Sequence, residues 1–134
     1  MQKVFRSCYE LDQKCYETYG LTEDILMEHA AMGMELYIRR HFDKGSSVCI
    51  VSGMGNNGAD GIVLARLLFK DYDVKLYMPF GLKSAMAKLQ LAGIALTKRR
   101  KREATTLIAE AKKLDKHGML KDQIQMVKQQ MKKI

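Results

Sequence analysis

A chain of 134 residues, 47% of them hydrophobic, is long enough for one domain with a core of its own, and no apolar run approaches the ~18 residues that a membrane-spanning helix needs. Cys8, Cys15 and Cys49 show neither a disulfide framework nor metal-ligand spacing, and the three histidines (His29, His41, His117) show no ligand pattern, so reduced thiols in a cytoplasmic protein without a secretory leader are expected. The formal net charge of +8 is unevenly placed: residues 1–90 hold 11 Lys and Arg against 11 Asp and Glu, and residues 91–134 hold 12 against 4.

The first helix is expected over Ser7 to Tyr19. Ser7 and Glu10 have capping-box spacing, Gly20 is a stop, and Cys8, Leu11, Cys15 and Tyr19 (or Tyr16) form one apolar stripe. A second helix opens after Thr22, with Glu23 and Asp24 in the first turn where the helix dipole favours them, and runs to Phe42. Its Ala30, Ala31 and Gly33 allow close approach, and its methionines read as core filling. After the turn "DKGSS", the apolar "SVCIV" (47–51) reads as a strand of a parallel sheet buried on both faces. A glycine-rich loop, "VSGMGNNGADG" (51–61), leads into a helix, "GIVLARLLFKDY", with Ile62, Leu64, Ala65, Leu68 and Phe69 as its apolar face. "DVKLYMP" is the second strand, ended by Pro79. Strand, helix and strand make a βαβ unit, the start of a doubly wound α/β sheet.

Past Pro79 no further strand is legible. The remainder is rich in helix formers, with breaks expected at Gly93 and Gly118. Leu107, Ile108, Ala111 and Leu114 form one modest stripe, and Met119, Leu120, Ile124, Val127 and Met131 another. The basic run "TKRRKRE" (97–103) reads as a solvated helical or disordered segment. Through phosphate neutralisation it could also meet an acidic partner, RNA or a membrane surface. The absence of aromatic residues after Phe80 leaves no stacking platform for single strands.

Gly53-x-Gly55-x-x-Gly58 satisfies the dinucleotide-binding spacing between a strand and a helix. The acid that usually closes the second strand of that motif, to hold a ribose, is missing: this strand ends "LYMP". Asn56, Asn57 and Asp60 load the turn with side-chain oxygens, and two readings stay open. These residue types suit turns for local reasons, bonding their own backbone, or they form a polar pocket that orients a nucleotide and holds a cation.

"GMGNNGADG" after an apolar strand is similar to the G-x-G-N-N-G-G-D-G signature of the NAD(P)H-hydrate epimerase family. "YELDQKCYETYGLTEDILMEHAAMGM" resembles that family's N-terminal helices, and "GIVLARLL" and "YMPFG" resemble the helix and strand end that come after its loop. The resemblance covers about residues 1–91. It implies an α/β fold, a Rossmann-like three-layer α/β/α domain that is commonly dimeric. It implies an isomerase acting on the R and S forms of hydrated NADH and NADPH, in step with an NAD(P)H-hydrate dehydratase, and a bound potassium ion. By the same resemblance Asn56, Asn57, Gly58, Ala59 and Asp60 contact the hydrated nucleotide and Asn57 is also a potassium ligand; the catalytic acid and base are unassigned. Ala59 stands where the family usually has Gly. At a positive φ that would cost on the order of 1 kcal/mol, and at a negative φ nothing. His29 stands where Asn is usual.

The expected organisation is therefore an apparently incomplete family domain over residues 1–91 and a basic, helix-prone tail over residues 92–134. The alternative is a non-catalytic nucleotide-binding or interaction protein, truncated from that family, whose basic tail meets an acidic partner.

Overall fold

The computed structural model describes Ser7 and residues 9–133. Helix α1 (Tyr9–Tyr19) is followed by α2 (Glu23–His41), β1 (Ser47–Val51), α3 (Asn56–Leu68), β2 (Asp73–Tyr77), α4 (Ala85–Thr97), α5 (Lys101–Leu114) and α6 (Lys121–Lys132). The strands pair in parallel from Ser47↔Asp73 to Val51↔Tyr77, with α3 as the crossover, which is the expected βαβ unit. Ser52 N–H donates to Tyr77 O (2.9 Å) and Asp73 N–H to Ser46 O (3.1 Å), so the ladder extends just past both ends.

The core lies on one side of this pair. Val48 and Ile50 of β1 and Val74 and Leu76 of β2 point inward, joined by Ile62, Val63 and Leu68 of α3 and Met86, Leu89 and Ala92 of α4. Residues Ser47, Cys49 and Val51 of β1 are exposed, as are Asp73, Lys75 and Tyr77 of β2. The expectation of a strand buried on both faces is thus corrected: among the described residues, helices cover one face of the sheet, and the side chains alternate accordingly.

Helix α2 packs on α3 through Met27 and the fully buried Ala31. Polar clamps reinforce the contact. Arg66 pairs with Glu28, and Arg39 reaches Glu35 Oε1 (2.7 Å), Asp71 Oδ2 (2.6 Å) and the Leu67 carbonyl (3.3 Å). Met32 and Met34 are exposed, so Met27 is the methionine of this helix that fills the core. Helix α1 buries none of its described residues: Leu11 and Tyr19 are exposed and Cys15 is half-buried. Cys8, expected in the same stripe, lies outside the described residues.

The basic third of the chain folds against the rest. Helix α4 passes through Gly93 without a break; the cost of a helical glycine, about 1 kcal/mol, is offset by packing of α4 along α5. The turn between them closes tightly at Arg99 (φ 56°), with Arg99 N–H on Leu96 O (2.9 Å) and Arg100 N–H on Ala95 O (2.8 Å). Ala104, Ile108 and Ala111 of α5 are buried, as are Leu120 and Ile124 at α6, while the charges of 98–103 stay exposed. The shift to basic composition falls inside α4.

Candidate active site

The glycine-rich segment turns directly into α3. Gly55 is the N-cap, with extended backbone (φ −94°), and Ala59 N–H donates the first helical bond to Gly55 O (3.2 Å). The helix therefore begins at Asn56, five residues before the expected start, and Asn56 to Asp60 are its first turn instead of a loop. Two close approaches explain why glycine is needed. A Cβ on Gly58 would lie 2.0 Å from the Gly53 carbonyl oxygen, and one on Gly61 would lie 2.6 Å from Ser52 Oγ and 3.3 Å from Ile50 Cγ2. Gly58 and Gly61 thus let α3 lie against the end of β1. Gly53 and Gly55 face open space, where a Cβ would meet nothing within 4 Å.

The five signature residues divide by burial. Asn56 and Asn57 are exposed, Asp60 is half-buried, and Gly58 and Ala59 are buried. Ala59 has ordinary helical backbone and is fully buried, so the residue that replaces the usual glycine is a packing methyl at no conformational cost. The first N–H groups of α3 have no intrahelical acceptor, and Gly55 brings no side chain to cap them.

Helices α1 and α2 supply a wall that sequence reasoning missed. Asn56, Asn57 and Asp60 line a cavity of about 150 Å³ together with Asp12 and Tyr16 of α1 and Glu23, Leu26, Met27 and Ala30 of α2. Three carboxyl groups meet there. Burial pushes the Asp60 carboxyl above the ordinary aspartate value, and the charges of Asp12 and Glu23 add to the rise. Burial likewise raises Glu23, with the neighbouring Asp24 charge adding to it and the Asn56 carboxamide opposing it. The Tyr16 hydroxyl is raised by burial and then by Glu23 and Asp12. Glu23 and Asn56 also line a second, open cleft of about 300 Å³, bounded by Ser84 and Met86 and by the α5–α6 turn. Glu23 had a sufficient local explanation as a first-turn acid, which hid its place at the site.

An oxygen-rich wall of this kind has donor chemistry suited to a hard cation. Among the described residues, however, no group of three or more His, Cys, Asp or Glu side chains is arranged to hold a metal ion. The exposed Asn57 carboxamide offers an oxygen of the kind that a hard cation takes.

The family model described as YjeF-related protein N-terminus matches residues 23–129. A bifunctional NAD(P)H-hydrate repair enzyme Nnr of Helicobacter pylori is 38% identical over 90 residues, which are 67% of this chain and 19% of that protein. NAD(P)H-hydrate epimerases of Leuconostoc mesenteroides (43% over 61 residues) and Leuconostoc citreum (35% over 83 residues) match 45% and 60% of this chain, and 27% and 37% of their own lengths. The chain thus spans between about a fifth and two fifths of these relatives.

Proposed function

From its membership of the YjeF-related protein N-terminus family, to which the chain belongs, we propose that it epimerises the R and S forms of hydrated NADH and NADPH. The observation that carries this reading is the first turn of α3. There Asn56, Asn57 and Asp60 open onto a cavity walled by Asp12, Tyr16 and Glu23, while Gly58 and Ala59 pack inward. The names of the relatives agree with it, and the bifunctional repair enzyme supports an NAD(P)H-hydrate dehydratase as the functional partner.

In this reading the Asn56 and Asn57 carboxamides orient the hydrated nucleotide, and the backbone N–H groups at the start of α3 meet its negative charge. Gly58 contributes through its backbone. Ala59, whose N–H is already bonded to Gly55 O, contributes packing alone. Potassium, where bound, would take the Asn57 carboxamide oxygen as a ligand and supply positive charge beside the nucleotide. Inversion at the hydrated carbon requires its hydroxyl to leave and return, or its ring to open, and either route needs a group that gives and recovers a proton. Asp60 and Glu23 have carboxyls raised toward the working pH and border the cavity, which fits them for that exchange.

A homodimer and a cytoplasmic setting belong to the same proposal. No helix among the described residues is long and apolar enough to cross a membrane. The division into a signature-bearing part, residues 1–91, and a basic helical part, residues 92–134, is retained as a division of sequence character. No observation favours nucleic acid as a partner.

Titration of ¹⁵N-labelled protein with NADPH hydrate tests the placement. The amide signals of Asn56, Asn57, Gly58 and Asp60 are expected to move first. Shifts confined to the outward faces of the strands would move the site elsewhere.

A further inference from the structure

We propose that the α5–α6 turn is the anion-recognising wall of the nucleotide site, with Lys116 and His117 contacting the pyrophosphate of the bound dinucleotide. The inference rests on the nucleotide reading of the α3 turn and extends it to a segment outside the signature.

Charge is distributed unequally around Asn56. On the α1 side, the cavities that Asn56 and Glu23 share with Asp12, Tyr16 and Glu17 hold carboxylates and, among the described residues, no Lys, Arg or His. A pyrophosphate carries about two negative charges and would be repelled there. On the opposite side, the 300 Å³ cleft is lined by Lys116 and His117 together with Asn56, Glu23 and Asp115, and both carboxylate oxygens of Asp115 are already engaged by the Met119 and Leu120 N–H groups. The two flanks therefore differ in what they offer an anion: carboxyl groups and no Lys, Arg or His among the described residues on one, and Lys116 and His117 beside Glu23 and the hydrogen-bonded Asp115 on the other. A ligand with one anionic and one uncharged polar end matches that order.

The turn is built to hold its position. Asp115 Oδ1 accepts from Met119 N–H (2.9 Å) and Oδ2 from Leu120 N–H (3.0 Å), so one carboxylate caps the entry to α6. Gly118 N–H donates to Asp115 O (3.2 Å), and Gly118 takes φ +67°, which a side chain would strain. Leu120 anchors the far end in the core. Between these fixed points Lys116 and His117 are exposed, so their charge and hydrogen-bonding capacity are free for a ligand without stabilising the fold. Neither the glycine-rich spacing nor the basic run 97–103 points to them.

The full chain is titrated against NADH, followed by nucleotide fluorescence, at two salt concentrations. Lys116→Ala is expected to weaken binding about tenfold, as loss of a charge-assisted contact does, and to flatten the salt dependence. His117→Gln weakens it less, and Lys116→Arg restores binding to within about twofold. Lys83→Ala is the control: Lys83 N–H bonds Met54 O beside the turn (3.1 Å), but the residue does not line the cleft. All variants should melt as the parent does. Binding within twofold of the parent in both Lys116→Ala and His117→Gln overturns the assignment, as does an equal loss in Lys83→Ala. NADH binding that depends on Lys116, in a protein with no turnover of the hydrate, supports the inference and removes the epimerase reading. Absence of NADH binding by the parent overturns the inference, and turnover of the hydrate by the same protein then keeps the epimerase reading.

Discussion

Gly58 and Gly53 meet backbone to backbone: a methyl on Gly58 would sit 2.0 Å from the Gly53 carbonyl oxygen. The contact fixes how the first turn of α3 leaves the end of β1, and hence where Asn56 and Asn57 project. No flexible side chain can yield to relieve it. Gly58→Ala is expected to destabilise by about 3 kcal/mol, at the upper end for overpacking, measured by denaturant unfolding. Gly61→Ala should cost less, about 1 kcal/mol, because its nearest obstacle is the Ser52 hydroxyl, which can rotate. Gly53→Ala and Gly55→Ala should leave stability nearly unchanged and weaken nucleotide binding, since their new methyls enter the open space before the turn. Equal destabilisation by all four would contradict this division.

Ala59 provides a test in the opposite direction. It is fully buried and helical, so Ala59→Gly, which restores the usual family residue, should destabilise by about 1 kcal/mol. A stabilised Ala59→Gly would mean that the helix begins later than Asn56.

Much of this arrangement was legible in the chain. The strands 47–51 and 73–77, the crossover helix and the glycine-rich turn announced themselves by apolar runs and punctuation, because those signals are local. The start of α3 was not legible. Asn56, Asn57 and Gly58 are poor helix formers, and the close approach of Gly58 to the Gly53 backbone five residues earlier is a contact that no propensity scale reads. Asp12 and Glu23 joined the site only once the fold brought them to the same cavity as Asn56, Asn57 and Asp60. The α5–α6 turn lies some 60 residues from Asn56 in sequence, and no spacing rule links them. The signature segment could be read as a site; its walls could not.

Asp60 should impose a pH-dependent cost on the fold. Its folded-state carboxyl is raised by burial and by Asp12 and Glu23, so the folded chain holds this proton more tightly than the unfolded chain. Stability is then lost as pH rises from the ordinary aspartate value of 3.8 through the raised folded value. Asp60→Asn removes that loss. The variant should melt higher than the parent at pH 7, with the difference vanishing near pH 3, while hydrate turnover falls at least tenfold. A lower melting temperature at pH 7 would show that Asp60 is held by a favourable partner.

Asp71 should behave in the opposite sense. The hydrogen bond from Arg39, followed by that from Lys44, holds its carboxyl below 3.8. The associated stability is present above the ordinary aspartate value and is lost as pH falls through the depressed folded value. Arg39→Met should lower the melting temperature at pH 7 and flatten the loss of stability below pH 4, read from thermal melts across pH. An unchanged acid limb would show that other carboxylates govern it.

The most direct test of the central claim is turnover. A mixture of R and S NADPH hydrates is treated with an S-specific dehydratase until conversion stops. The purified, folded chain is then added with potassium, and NADPH formation is followed. Renewed conversion above the spontaneous rate, reduced at least tenfold by Asn57→Ala, is the predicted result. A rate equal to the spontaneous one, from protein that melts cooperatively, would contradict epimerisation by this chain.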